Sequence, residues 1–118
     1  MSGTSDEGGG CDGRVLDALF AVIESRKGGD PGASYTAKLL AGGTEAIAAK
    51  VSEEAAETVA AGVSEDAARL ASESADLLYH LLVLWAARGL APEAVWATLA
   101  ERQGTSGLAE KAARGKRK

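Results

Sequence analysis

Apolar positions recur with helical spacing along nearly the whole chain. Val15, Leu16, Leu19, Phe20 and Ile23 predict a first helix from about Arg14 to Arg26, with Asp12 near its N-cap and Gly28-Gly29 beyond its end. Asp30-Pro31-Gly32 reads as a turn, and Ser34 or Thr36 is placed to cap a short helix through Leu40 that Gly42-Gly43 stops. Thr44 is a fair N-cap for a helix over 45–61, which Gly62 should break. Ser64 then caps a helix from Glu65 to Arg88, with Gly89 where a left-handed C′ residue is wanted. Pro92 opens a last helix whose face is Val95, Trp96 and Leu99, and which fades near Gln103-Gly104. No stretch alternates with period two for long enough to suggest a sheet. The fold class is all-α, an antiparallel helix bundle with short connections.

Residues 50–87 break the usual pattern of a soluble helix pair. Glu54 and Glu57 are three apart, and so are Glu73 and Asp76; the second pair runs into the most apolar stretch of the chain, Leu77 to Ala87. Each residue turns a helix by about 100°, so each pair lies on one stripe. Lys50 extends the first stripe at i−4 from Glu54, with Ile47, Val51 and Thr58 beside it; Arg69 and His80 extend the second. If the two helices pack antiparallel across the Gly62 turn, the acidic stripes face each other in a partly shielded cleft. Two unit charges about 6 Å apart at an effective dielectric near 20 repel by about 3 kcal/mol. Lys50 and Arg69 offset part of that. The remaining remedies are protonation or a cation, and an all-oxygen ligand set favours Mg²⁺. A Glu-x-x-Glu pair alone is common on solvated helix faces; two pairs on consecutive helices at the edge of the core are harder to dismiss. A di-iron carboxylate bundle needs Glu-x-x-His twice, and His80 is the sole histidine. His80 reads as a hydrogen-bonded core residue rather than a ligand, and Tyr79 and Trp85 as packing residues.

Composition narrows the setting. A chain of 118 residues makes one domain, and with 46% hydrophobic and 25% charged residues it is globular. Aromatic residues are only 4%, and alanine supplies much of the apolar filling. A helix as apolar all round as Leu77, Leu78, Leu81, Leu82, Leu84 and Trp85 make theirs needs cover on all sides. A homodimer or a higher even-numbered homo-oligomer would supply it. Leu77–Ala87 is too short to span a bilayer, and the start of the chain has no basic, apolar signal pattern, so a soluble cytoplasmic protein is expected. The single Cys11 excludes an intrachain disulfide or a cysteine metal site. A net charge of −4 argues against general nucleic-acid binding, although Lys111, Arg114, Lys116, Arg117 and Lys118 form a basic tail. The organisation expected is a flexible leader over 1–13, a helical domain over 14–103 and a flexible basic tail over 104–118.

Three segments, "SYTAKLL", "KVSEEAAE" and "ESADLLYHLLVLWAARGL", resemble the phosphoribosyl-ATP pyrophosphohydrolase family of histidine biosynthesis, within the MazG-like all-α nucleoside triphosphate pyrophosphohydrolases. The superfamily signature, Glu-Glu-x-x-Glu followed by Glu-x-x-Asp, reads here Glu53-Glu54-x-x-Glu57 and Glu73-x-x-Asp76; Ser34-Tyr35-Thr36 and Leu77-Leu78-Tyr79-His80-Leu81 point to the histidine-pathway branch. The resemblance covers about residues 14 to 103. Ser52 stands where the family usually has glycine, with no chemical consequence. The resemblance implies Mg²⁺-assisted attack of water on the triphosphate of phosphoribosyl-ATP, releasing phosphoribosyl-AMP and pyrophosphate. Glu54, Glu57, Glu73 and Asp76 are then the metal ligands. Glu53 or Glu54 is the acceptor of the water's proton, and Lys38 and Lys50 are phosphate partners by position alone. Two competing readings are a house-cleaning or dNTP pyrophosphohydrolase on the same fold and a non-enzymatic helical dimerisation module.

Overall fold

In the computed structural model, which describes residues 11–103 and Arg114, five helices follow one another: α1 (Arg14–Ser25), α2 (Tyr35–Gly42), α3 (Thr44–Ser64), α4 (Ala67–Ala87) and α5 (Pro92–Arg102). The described residues are helical with no strand, as the apolar spacing requires. Most of the expected leader and of the basic tail, including Lys111, Lys116, Arg117 and Lys118, lies outside the described residues.

The local signals place most boundaries. Asp12 accepts from the Arg14 backbone N–H at 3.0 Å and pairs with its guanidinium at 2.8 Å, although the N-cap position itself is Gly13. That pair holds the Asp12 carboxyl down at about 2, through the side-chain and then the backbone hydrogen bond from Arg14. The Asp30 side chain accepts from the Gly32 N–H at 2.9 Å and its carbonyl from Ala33, which closes the turn before α2. Of the two candidate caps, Ser34 is the one used: its hydroxyl accepts from the Ala37 N–H at 3.1 Å. Gly43 joins α2 to α3 without a loop, at φ +94°, a conformation that side chains with a Cβ rarely adopt.

Two expectations fail between α3 and α4. Gly62 does not break α3; the helix continues through it to Ser64. An interior glycine weakens a helix by only about 1 kcal/mol relative to alanine, which packing against α4 overrides, and the Leu70 side chain lies over the glycine face. Ser64 accordingly closes α3, its hydroxyl donating back to the Ala60 carbonyl, and the N-cap of α4 is Asp66, which accepts from the Arg69 N–H at 2.9 Å. The turn is therefore Glu65-Asp66, and α4 begins at Ala67 rather than Glu65.

α3 and α4 form the main antiparallel pair. Thr58 on α3 meets Glu73 on α4, while Ile47, nearer the start of α3, shares the core with Leu82 and Val83, nearer the end of α4. Ile23 from α1 closes that core, and Leu16, Leu19, Phe20, Leu39 and Leu40 pack around it. α5 is held by a Trp85–Trp96 edge contact, centroids 5.9 Å apart, and by the Trp96 indole N–H donating to Asp17 at 3.0 Å. Leu99 of the expected α5 face stays exposed. No helix among the described residues is long and apolar enough to cross a membrane.

Candidate active site

The antiparallel register sets the acids of α3 opposite those of α4. Carboxylate oxygens of Glu54, Glu57 and Glu73 lie within 4.8 Å of one another. Glu54 and Glu73 are 7% and 5% exposed, whereas Glu57 stands at the solvent side of the group. Charged side chains are almost never buried to this degree unless they are partnered.

Partners are present for half of each buried carboxylate. Glu73 Oε2 accepts from the Arg69 guanidinium, which also binds Glu65 at 3.0 Å. Glu54 Oε2 lies 3.9 Å from the Lys50 ammonium. The other oxygens, Glu54 Oε1 and Glu73 Oε1, are buried with no hydrogen-bond partner. A buried unpaired acceptor forfeits its full hydration, so the centre of the cluster has acceptor capacity to spare for a cation, a proton or a water. Burial pushes the Glu73 carboxyl above the usual range; Arg69 opposes this, and contact with Glu57 and the charge of Asp76 add to it.

The cluster is pinned from the backbone side by Thr58, whose hydroxyl lies between the carbonyl oxygens of Glu54 at 2.8 Å and Glu73 at 3.1 Å. Thr58 therefore ties α3 to α4 at the level of the two buried acids. Its place one turn after Glu54 was visible in the sequence, but its bond across to α4 depends on the helix pairing.

Two predicted residues sit apart from the cluster. Asp76 shares the stripe with Glu73, yet its side chain is exposed and lies outside the 4.8 Å group. The four-acid cluster expected from spacing is thus a three-acid cluster with Asp76 beside it. One helical turn advances the chain by about 5.4 Å, enough to carry Asp76 past the crossing where α3 faces α4. Glu53 lies outside the three-acid group, exposed, and forms an ion pair with Lys50 at 3.1 Å. That bond is the main reason the Lys50 ammonium is held above its ordinary pKa.

His80 is buried, as expected of a hydrogen-bonded core histidine. Its Nδ1 lies 2.8 Å from the Asp76 carbonyl, which can only accept, so Nδ1 carries the proton. Nε2 is left to accept from the Tyr35 hydroxyl at 3.2 Å. Tyr79 stacks on Tyr35 and bonds to the Thr36 hydroxyl. The serine-tyrosine-threonine and leucine-tyrosine-histidine segments are thus in mutual contact. Together they brace α2 against the turn of α4 that carries Asp76.

Comparison with known proteins identifies the family. The family model for phosphoribosyl-ATP pyrophosphohydrolase matches residues 16–103. The chain belongs to the phosphoribosyl-ATP pyrophosphohydrolase family. Among its relatives is the phosphoribosyl-ATP pyrophosphatase of Azospirillum brasilense, 64% identical over 100 residues, covering 85% of this chain and 90% of that protein. The proteins of the same name from Parvibaculum lavamentivorans and Paramagnetospirillum magneticum are 60% and 58% identical over 106 residues, each covering 90% of this chain and 97% of the relative. The matched region contains the acid cluster, the Thr58 bond and the tyrosine–histidine brace.

Proposed function

We propose that this chain hydrolyses phosphoribosyl-ATP to phosphoribosyl-AMP and pyrophosphate, with Mg²⁺ at the acid cluster. The observation that carries the reading is the pair of buried, unpartnered oxygens, Glu54 Oε1 and Glu73 Oε1, in a cluster narrow enough for one cation, on a chain of this family. The donor set fits: three carboxylates without nitrogen or sulfur suit a hard divalent ion.

Glu54, Glu57 and Glu73 would hold the ion, with Asp76 joining from the same face of α4. When bound, Mg²⁺ would neutralise triphosphate charge and make the attacking water more acidic. The chain's own residues do the rest. Thr58 and Arg69 keep the buried carboxylates in place before substrate arrives. Lys50 and Lys38 supply positive charge to substrate phosphates. Of the two candidate proton acceptors, Glu54 lies within the three-acid group and Glu53 outside it, so we assign the water's proton to Glu53 and leave Glu54 as ligand. Water adds to the α-phosphorus, the bond to the bridging oxygen of the β-phosphate breaks, and pyrophosphate leaves.

The test is pyrophosphate release from phosphoribosyl-ATP with and without Mg²⁺, beside dCTP and dUTP. Metal-dependent release from phosphoribosyl-ATP above the other two is expected; preference for a deoxynucleotide would move the protein to the house-cleaning class. Glu53→Gln and Glu54→Gln separate the two candidate roles. The first should lose turnover yet keep the Mg²⁺-induced rise in melting temperature, and the second should lose both.

The reading includes a homodimer or larger even-numbered assembly. Leu78 remains 42% exposed near the start of the most apolar stretch of the chain, and Val59 and Val63 of α3 are exposed as well. Sedimentation showing a monomer at micromolar concentration would remove this part. A cytoplasmic location belongs to the same reading and is open to cell fractionation.

A further inference from the structure

Each of the two buried acids shares its cation with an exposed acid. On α3, the Lys50 ammonium lies 3.1 Å from the exposed Glu53 and 3.9 Å from the buried Glu54. On α4, the Arg69 guanidinium lies 3.0 Å from Glu65, in the turn before the helix, and also binds the buried Glu73. The two arrangements differ in where the cation rests. Lys50 already leans to the exposed acid, whereas Arg69 holds both. Arg69 thus covers one oxygen of a carboxylate whose other oxygen, Glu73 Oε1, has no partner.

The Arg69 side chain can leave Glu73 without disturbing the helix. Its backbone N–H is fixed to the Asp66 cap at 2.9 Å, so the first turn of α4 stays in place while the side chain, 57% exposed, turns. Its Nε keeps Glu65, the bond that contributes most to raising its pKa. A guanidinium carries five donors in a fixed fork, so releasing one acid leaves the bond to the other intact. A divalent ion among the acids would drive that release. Ligand oxygens stand about 2.1 Å from such an ion. Carboxylate oxygens of Glu54, Glu57 and Glu73 lie within 4.8 Å of one another, so an ion at their centre is close to the Arg69 Nη2 on Glu73. Both are positive, and like charges repel more strongly where burial lowers the dielectric.

We propose that Arg69 is a tethered counter-ion: it neutralises Glu73 while the acid cluster is empty and turns to Glu65 alone when Glu73 passes to a divalent cation. The proposal rests on the Mg²⁺ site proposed above and adds that the chain carries its own competitor for that site. The sign of one measurement follows. Removing a competitor strengthens metal binding, whereas removing a mere brace of Glu73 weakens it.

The experiment is calorimetric titration of Mg²⁺ into the full-length chain, Arg69→Gln and Glu65→Gln. Arg69→Gln should melt lower without metal, because Glu73 loses its partner, and yet bind Mg²⁺ about tenfold more tightly, the size of one hydrogen bond between charged groups. Glu65→Gln should bind Mg²⁺ about threefold more weakly, the size of an exposed ion pair, because Arg69 loses its resting place away from the cluster. The gain in Arg69→Gln should persist in about 0.5 M KCl, where the influence of a remote exposed charge is screened. Unchanged or weaker Mg²⁺ binding by Arg69→Gln, or a gain that vanishes in that salt, would overturn the proposal. NMR of the arginine side chains gives an independent readout on the unaltered chain. The Arg69 Nη signals, assigned by their loss in Arg69→Gln, should move as Mg²⁺ saturates the site while the Nε–H stays bonded; signals indifferent to Mg²⁺ would also overturn it. An unaltered chain that binds no Mg²⁺ at all is a different result, and it would remove the proposed metal site together with this inference.

Discussion

From Leu77 to Ala87, α4 buries Leu82, Val83 and Ala86 in a core with Ile23 and Ile47, whereas from Ala67 to Asp76 it buries a single residue, the acid Glu73. Both halves belong to one continuous helix and pack on the same partner, α3. The apolar half gains free energy from every side chain it withdraws from water. The acidic half withdraws Glu73, opposite the buried Glu54 of α3, and one oxygen of each is left without a partner. The contrast teaches that the stabilising end and the destabilised end are mechanically one object. The core shared by α3 and α4 holds the repelling acids of the two helices side by side. Arg69 and Lys50 soften the repulsion without filling the centre.

The largest break in this comparison should come from the acidic half. Glu54→Gln or Glu73→Gln is expected to lower kcat about a hundredfold to a thousandfold, because a carboxylate that holds the proposed Mg²⁺ would contribute several kcal/mol to the transition state. The same variants should melt higher than the unaltered chain when Mg²⁺ is absent. A lower melting temperature in metal-free buffer would show that the charged cluster is not under strain. In the apolar half the signs reverse. Ile47→Ala should destabilise the fold by about 2–5 kcal/mol in denaturant titration, as for other buried aliphatic truncations. The folded fraction should still show the Mg²⁺-dependent rise in melting temperature.

A third prediction uses pH to distinguish the halves. The folded Glu73 carboxyl is raised above its ordinary value of 4.5, so the native chain binds its proton more tightly than the unfolded one. Its ionisation therefore opposes folding. Metal-free stability should be greatest, as far as this group decides it, below pH 4.5 and should decline as pH rises through the raised value. Glu73→Gln should flatten that decline. A decline of unchanged slope in the variant would assign it to other groups. The smallest effect is near the C-terminal end of α3. Gly62→Ala should stabilise by about 0.5–1 kcal/mol by equilibrium unfolding, since the added methyl meets only Leu70 Cδ1 at an ordinary 3.7 Å. Destabilisation there would mean that the glycine is needed where α3 passes α4.

Much of this molecule was legible in its sequence because the relevant forces act over one or two helical turns. Apolar spacing determined that the chain is helical and where the core stripes run. The Ser34 cap, the Asp30 turn and Pro92 at the start of α5 are bonds or constraints within a few residues, and the i, i+3 pairing of acids is a property of a single helix. The family resemblance carried by the same segments agrees with the match over residues 16–103. What the sequence left open depends on how separate helices meet. Only the packing of α3 on α4 decided that Gly62 stays helical, because the contact with α4 outweighs a local propensity of about 1 kcal/mol. Only the crossing decided that Glu54, Glu57 and Glu73 converge while Asp76 stands beside them, since reach across an interface depends on register and not on spacing along one chain. The same holds for the two oxygens left bare and for the bond between Tyr35 and His80. These are relations between groups distant in sequence, and they exist only once the core has brought the helices together.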